Sequence, residues 1–544
     1  MRKLWTGSGS RRVLSQFSLL LSLLSLDLAC VSHSARLKPV EEGVQPMKGL
    51  RGQPQPEAWF SGSPQAAFDL ASKNGKLVFL YWGAVWCPPC NELKANVFSK
   101  PRFAELMQAF VPVYLDGDTE EAQTWGEQLK ISGYPTILVL NAQKQELFRL
   151  NSSVSIQEFD EALSSLLGQS RNLSLVLDKL AGTSTATSLD TADWKILAFA
   201  DWEQLAKRSA EERLRLLEKA TRLCPENLAQ EKALLAASLL RLAVDSETKE
   251  VAGSPLQKEL RALAPAYLER VFQGRANPLR SFVNNQASAT LTWLFPEGPR
   301  GPAYEDLKKK WFAAAARNQA EETASIDTRL WAVYPQLEFF RFEQPEGAVP
   351  PALKKEVQTA VEQANRQATH PFDRHAVISG AAYLLRKVGD FDGAQELLKA
   401  EAARSDTPWY YYSSLAALEQ ERQRPKEAQN WGALARQSAE GRASKIQWIT
   451  SDIALNAKPA QAQEKAYLLS LAQEYYALAT ELSDGFVGRN RTRAKKVAET
   501  LGKFHEDPEF ARVFQKFEPR CGQLRGENAK FCQEHFEALR ATKG

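Results

Sequence analysis

The sequence predicts an α/β domain followed by a large all-α helical domain, and three observations carry that reading. An apolar run, Leu77-Val78-Phe79-Leu80-Tyr81-Trp82, reads as a buried strand leading into Trp86-Cys87-Pro88-Pro89-Cys90. Ile137-Leu138-Val139-Leu140 is another apolar run soon after it. From about Asp193 onward the composition is rich in Ala, Leu, Glu, Gln, Lys and Arg, with little strand-like alternation. A chain of 544 residues should form at least two domains.

The N-terminus, residues 1–34, reads as an export signal. Arg2, Lys3, Arg11 and Arg12 form a basic region, and Phe17 to Leu28 an apolar one too short for a membrane span. Ser32 and Ser34 suit cleavage before Ala35. Leu28-Ala29-Cys30 also resembles a bacterial lipobox with Cys30 as the lipidation site, although Asp27 fits that pattern poorly. Soluble export, lipid anchorage and a retained anchor all stay open. Residues 35–55 read as a flexible tether, because Lys38 to Pro56 carries four prolines and three glycines.

A lone C-x-x-C fits half a zinc site, a structural loop or a redox pair. Strand, then C-x-x-C, then helix favours redox. Asn91-Glu92-Leu93-Lys94-Ala95 can continue as that helix. Cys87 then sits at a helix N-terminus, where unpaired N–H groups and the dipole stabilise a thiolate. Cys90 lies about one turn on, placed to resolve a mixed disulfide and expected to be the more buried thiol. Pro88 and Pro89 are tolerated there because a first helical turn loses no hydrogen bond. There is no second C-x-x-C, and no histidine between Cys87 and His370, so a local zinc site would lack two ligands. Trp86 either offers an apolar docking surface or packs against its own domain. Gly133-Tyr134-Pro135-Thr136 precedes the strand at 137–140; taken alone, a proline there is an edge or turn residue.

Together these pieces resemble the thioredoxin superfamily, over residues 56–168. Within it they look most like the domains of bacterial envelope thiol-disulfide reductases, on Leu93-Lys94, Val97-Phe98-Ser99, Phe103 and the Leu115-Asp116-Gly117-Asp118 turn. The resemblance implies that Pro135 is cis and faces Cys87, with the backbone at Tyr134 and Thr136 receiving an extended substrate segment. The catalytic set is then Cys87, Cys90 and Pro135, with Trp86, Tyr134 and Thr136 meeting substrate. One departure matters: the buried Asp that often stands six residues before the first cysteine is Tyr81 here. Asp116 is expected in a loop and Glu92 in solvent, so neither is an obvious replacement.

Lys and Arg total 69 against 65 Asp and Glu, and the signal supplies much of the surplus, so no dense basic patch argues for nucleic acid. No ER-retention ending is present and the sequons at Asn151, Asn172 and Asn490 are within chance, which favours the bacterial periplasm or envelope. A dithiol there ends up oxidised unless an external electron donor reduces it.

Residues 169–191 read as a linker, with Ser and Thr dense in 181–191, and 192–544 as the helical domain. Breaks are expected at Cys224-Pro225, Asn277-Pro278, Pro296 to Pro302, Pro345 to Pro351 and His370-Pro371. Ala394, Ala428 and Ala462 recur at 34 residues, and Gly389-Asp390-Phe391-Asp392-Gly393-Ala394 resembles a tetratricopeptide repeat, giving a repeat-like stretch around 385–480 or an irregular helical domain. Trp409-Tyr410-Tyr411-Tyr412, Trp431 and Trp448 either line a peptide groove for a protein partner or fill the helical core, the latter preferred. Cys521 and Cys532 are expected to close a structural disulfide, and Cys224 to be buried and alone. The scattered histidines have no metal spacing.

The functional expectation is a thiol-disulfide oxidoreductase that reduces protein disulfides and needs no cofactor and no metal. An isomerase, an oxidase, or a helical protein-binding or chaperone-like protein with an accessory redox domain are the alternatives.

Overall fold

The computed structural model describes residues 56–131, 133–167, 171–182, 189–205, 208–245, 253–459 and 461–542. The signal, Cys30 and the tether lie outside the described residues. In chain order come α1 (Pro64–Asn74), β1 (Leu77–Gly83), α2 (Pro88–Leu93), α3 (Pro101–Met107), β2 (Phe110–Asp116), α4 (Glu120–Gln128), β3 (Thr136–Leu140), β4 (Glu146–Leu150) and α5 (Ile156–Ser164). The strands make one mixed sheet in the order β2-β1-β3-β4, with β1 parallel to β2 and antiparallel to β3.

β1 is buried on both faces, which is why its sequence is apolar without alternation. Val78, Leu80 and Trp82 join Phe68 of α1 and Trp125 of α4 on one side. Phe79 and Tyr81 join Phe103 and Phe159 on the other. That second core runs unbroken into the helical region through Leu214, Leu234 and Trp311. The outer edge of β4 meets the helical region at its C-terminal end, in an isolated bridge where Asn151 N–H donates to Phe199 O at 3.0 Å and Asp201 N–H to Arg149 O at 3.0 Å.

The segment expected as a linker holds a helix, Leu173–Gly182. Its buried residues are Leu173, Val176, Leu177 and Leu180, the i, i+3, i+4, i+7 spacing of an amphipathic helix. The neighbouring Ser/Thr run obscures that signal in the sequence. Beyond it the proline breaks coincide with helix ends. One helix stops at Leu223 before Pro225, and others start at Asn277, Pro302, Pro351 and Pro371. Pro265 is the exception, lying inside the helix Pro255–Gln273.

Helices start at Phe391, Pro408, Pro425 and Arg442, so two successive helix pairs follow a 34-residue period. Ala394 and Ala428 occupy the fourth position of their helices and are buried. Ala462 instead opens its helix and is exposed, so the third alanine has lost the register.

Cys521 and Cys532 lie inside a separate C-terminal core built around Tyr475, Tyr476, Phe514 and Phe536. Their sulfurs are at bonding distance and their Cα atoms 5.5 Å apart. Replacing both by alanine is expected to lower unfolding stability by about 2–4 kcal/mol, because the link restricts the unfolded chain. Denaturant titration of the oxidised protein measures this. A midpoint unchanged from wild type would show that the link is not structural.

Candidate active site

The chain leaves β1 at Gly83 and turns into α2 through Ala84 to Trp86. Cys87 is the N-cap of α2, and its sulfur accepts the Cys90 N–H at 3.3 Å. Pro88 and Pro89 occupy the first helical turn, where their missing N–H groups leave no gap. The buried Asn91 amide donates to Val85 O at 2.8 Å and to Cys87 O at 2.9 Å, tying the loop to the helix. The cysteine sulfurs are at bonding distance, with Cα atoms 5.2 Å apart. At the entrance to β3 the Tyr134–Pro135 peptide bond is cis, and the Thr136 hydroxyl donates to Gly133 O at 2.9 Å.

This strand, C-x-x-C helix and cis-proline arrangement falls within residues 64–167, which match the family model for a thioredoxin-like domain. Residues 64–167 form a thioredoxin-like domain. Over 79 residues the chain is 35% identical to the thiol:disulfide interchange protein DsbD of Salmonella typhi, covering 14% of each protein. Over 71 residues it is 31% identical to thioredoxin H3 of Arabidopsis thaliana, covering 13% of this chain and 55% of the plant protein. The chain thus spans a small part of the first relative and about half of the second. No helix among the described residues is long and apolar enough to cross a membrane.

The thioredoxin-like domain does not present its cysteines to solvent. Cys87 is 3% exposed and Cys90 0%, so the expected contrast in exposure between them is nearly absent. The cause lies in the helical region. The Trp86 ring stacks on Tyr410 with centroids 5.9 Å apart and meets Trp448 edge-on at 5.4 Å. The helix Pro371–Lys387 packs directly against α2. Trp86 also donates its indole N–H to Asp118 at 2.8 Å. The other residues expected to meet substrate are covered as well. Arg489 donates to the Tyr134 hydroxyl and lies over its ring at 5.2 Å, and Thr136 is buried. Trp409, Tyr411 and Trp448 are buried, while Tyr412 stacks on Trp431. These aromatics therefore serve as core and cover.

Beside Pro88 and Pro89 a cavity of about 380 Å³ remains, walled by Glu92, Asp327, Trp331, Tyr383 and Tyr410. Glu92 is half-buried and accepts a hydrogen bond from the Ser325 hydroxyl at 2.9 Å, contrary to its expected place in solvent. Burial holds the Glu92 carboxyl above its usual range, and burial together with the Glu92 charge raises Asp327 further. Asp116 ends β2 and is not a loop residue. Burial, with Asp116 adding to it, pushes Asp118 up to about 6. Asp327 and Arg489 escaped the sequence reading, and Tyr410 and Trp448 were singled out there without any tie to Cys87, because all four lie hundreds of residues from it and no local pattern links them to it.

Proposed function

We propose that this chain is a thiol-disulfide oxidoreductase that reduces protein disulfides in the bacterial envelope. The observation that carries the reading is the pair itself: Cys87 caps α2, with its sulfur accepting a backbone N–H, and Cys90 is within bonding distance. The first position stabilises a thiolate and the second is placed to displace one. In the reaction the Cys87 thiolate attacks a substrate disulfide and forms a mixed disulfide. Cys90 then attacks Cys87, releasing the reduced substrate and leaving Cys87–Cys90 oxidised. An external dithiol donor restores the pair. Pro135 and the backbone at Tyr134 and Thr136 receive the substrate once the helical cover moves aside. The envelope reading draws on the N-terminal residues and on the likeness to DsbD. Lipid anchorage through Cys30 and a protein partner on the helical region belong to the same proposal.

Cys90→Ser is expected to accumulate mixed disulfides through Cys87, and Cys87→Ser to accumulate none. Mixed disulfides accumulating in Cys87→Ser and not in Cys90→Ser would reverse the two roles. Direction is read by equilibrating the wild-type pair against glutathione. A reductase should lie nearer the thioredoxin value of about −270 mV than the strong periplasmic oxidants at about −120 mV. A value near the latter would make the chain an oxidase, and refolding of a scrambled substrate would make it an isomerase.

A further inference from the structure

Resolution by Cys90 requires that its thiol lose a proton in a buried site. The family's usual acid position is Tyr81, whose hydroxyl is buried and has no hydrogen-bond partner among the described residues. One cationic group stands close by. Lys94 is four residues beyond Cys90, and its N–H donates to Cys90 O, so both belong to one continuous turn. Side chains four apart on a helix share a face, with Cβ atoms about 5–6 Å apart. Both residues are 0% exposed. Among the described residues the Lys94 Nζ has no hydrogen-bond partner, an expensive arrangement for a surface-type residue.

We propose that Lys94 is the group that takes the proton from Cys90 when Cys90 resolves the mixed disulfide. The inference rests on the oxidoreductase reading above. The neutral amine accepts the Cys90 proton and becomes an ammonium beside the new thiolate. That thiolate attacks Cys87 Sγ, the Cys87–Cys90 bond forms, and the Cys87–substrate bond breaks. The substrate sulfur leaves with the electron pair and takes the proton back from Lys94.

The surroundings keep the amine able to change charge. Its Nζ lies 5.9 Å from the Tyr114 ring centroid and 5.7 Å from that of Phe372. Burial pulls the ammonium down to about 8, partly offset by Asp116 at the end of β2. From the helix Pro371–Lys387, His375 is pushed down to about 4 by burial and so is neutral above that pH. Arg374 on that helix is held by Glu401 at 2.6 Å. Burial raises Tyr81, with Asp116 adding to it, so Tyr81 keeps its proton near pH 8.

Reaction of the reduced full-length protein with 5,5′-dithiobis(2-nitrobenzoate) separates the steps. A first thionitrobenzoate leaves as Cys87 is capped, and a second as Cys90 resolves. The rate of the second release should rise through an inflection near pH 8 in the wild type. Lys94→Met should abolish that inflection and slow the second release about 100-fold at neutral pH. Lys94→Arg retains a cation but not a titrating amine, and should also lose the inflection; it decides the matter if the methionine variant fails to fold. A wild-type pH profile in these variants overturns the inference while leaving the oxidoreductase reading intact. Release of a single thionitrobenzoate by the wild type overturns that reading and the inference with it.

Discussion

Alanine at both Tyr410 and Trp448 should speed alkylation of reduced Cys87 by about 10- to 100-fold. The two rings come from the helical region and close over Trp86, leaving Cys87 only 3% exposed. Truncating a buried aromatic removes about 3–5 kcal/mol of packing. A tenfold change in an opening equilibrium needs only about 1.4 kcal/mol, so a fraction of the loss suffices. Trp431→Ala is the control, because Trp431 stacks on Tyr412 and not on Trp86. Mass-mapped alkylation at neutral pH reads the result. An unchanged Cys87 rate in the double variant, or an equal rise in the control, would sink the idea that these rings gate access.

The expectation bears on substrate entry. A folded protein disulfide needs the cover to move before it can reach Cys87. The cavity of about 380 Å³ beside Pro88 and Pro89 is lined by residues of both regions, from Glu92 to Trp331 and Tyr410.

What was legible in the sequence is what local chemistry fixes. β1 announces itself by an unbroken apolar run, since both its faces are buried, and α2 by a cysteine and two prolines that suit a first turn. Most of the prolines mark helix starts because proline has no N–H to donate and its ring crowds the preceding turn, costs that vanish in a first turn; Pro265 bears them inside its helix. What stayed hidden is the pairing of distant elements. Glu92 looks like a surface residue until Ser325 and Asp327 are brought to it. Trp448 and Arg489 are ordinary members of helices until the fold lays them over Trp86 and Tyr134. Helical periodicity says which face is buried but not against what. The helix Leu173–Gly182 shows the opposite failure, a readable apolar stripe overruled by the polar composition beside it.

Glu401→Ala should lower unfolding stability by about 3–5 kcal/mol. Glu401 is 0% exposed and accepts from Arg374 Nε at 2.9 Å, from Arg374 Nη2 at 2.6 Å and from Arg404 Nε at 2.9 Å. Arg374 also donates to Ala368 O at 2.9 Å, so its guanidinium cannot swing out to water without further loss. Removing the carboxylate leaves a buried cation unpaired, and the desolvation penalty of that charge outweighs the lost bonds themselves. Replacing Arg374 and Glu401 together by methionine should cost markedly less than Glu401→Ala alone, since no orphaned charge remains. Urea titration of the three proteins gives both numbers. A loss under about 1 kcal/mol for Glu401→Ala would mean that the charge finds water and that the pair is no clamp. Arg374 sits on the helix that packs against α2, so this ion pair also holds the wall of the redox site. Loosening it should therefore quicken Cys87 alkylation in the same variant, whereas a stability loss without any change in that rate would separate the clamp from the cover.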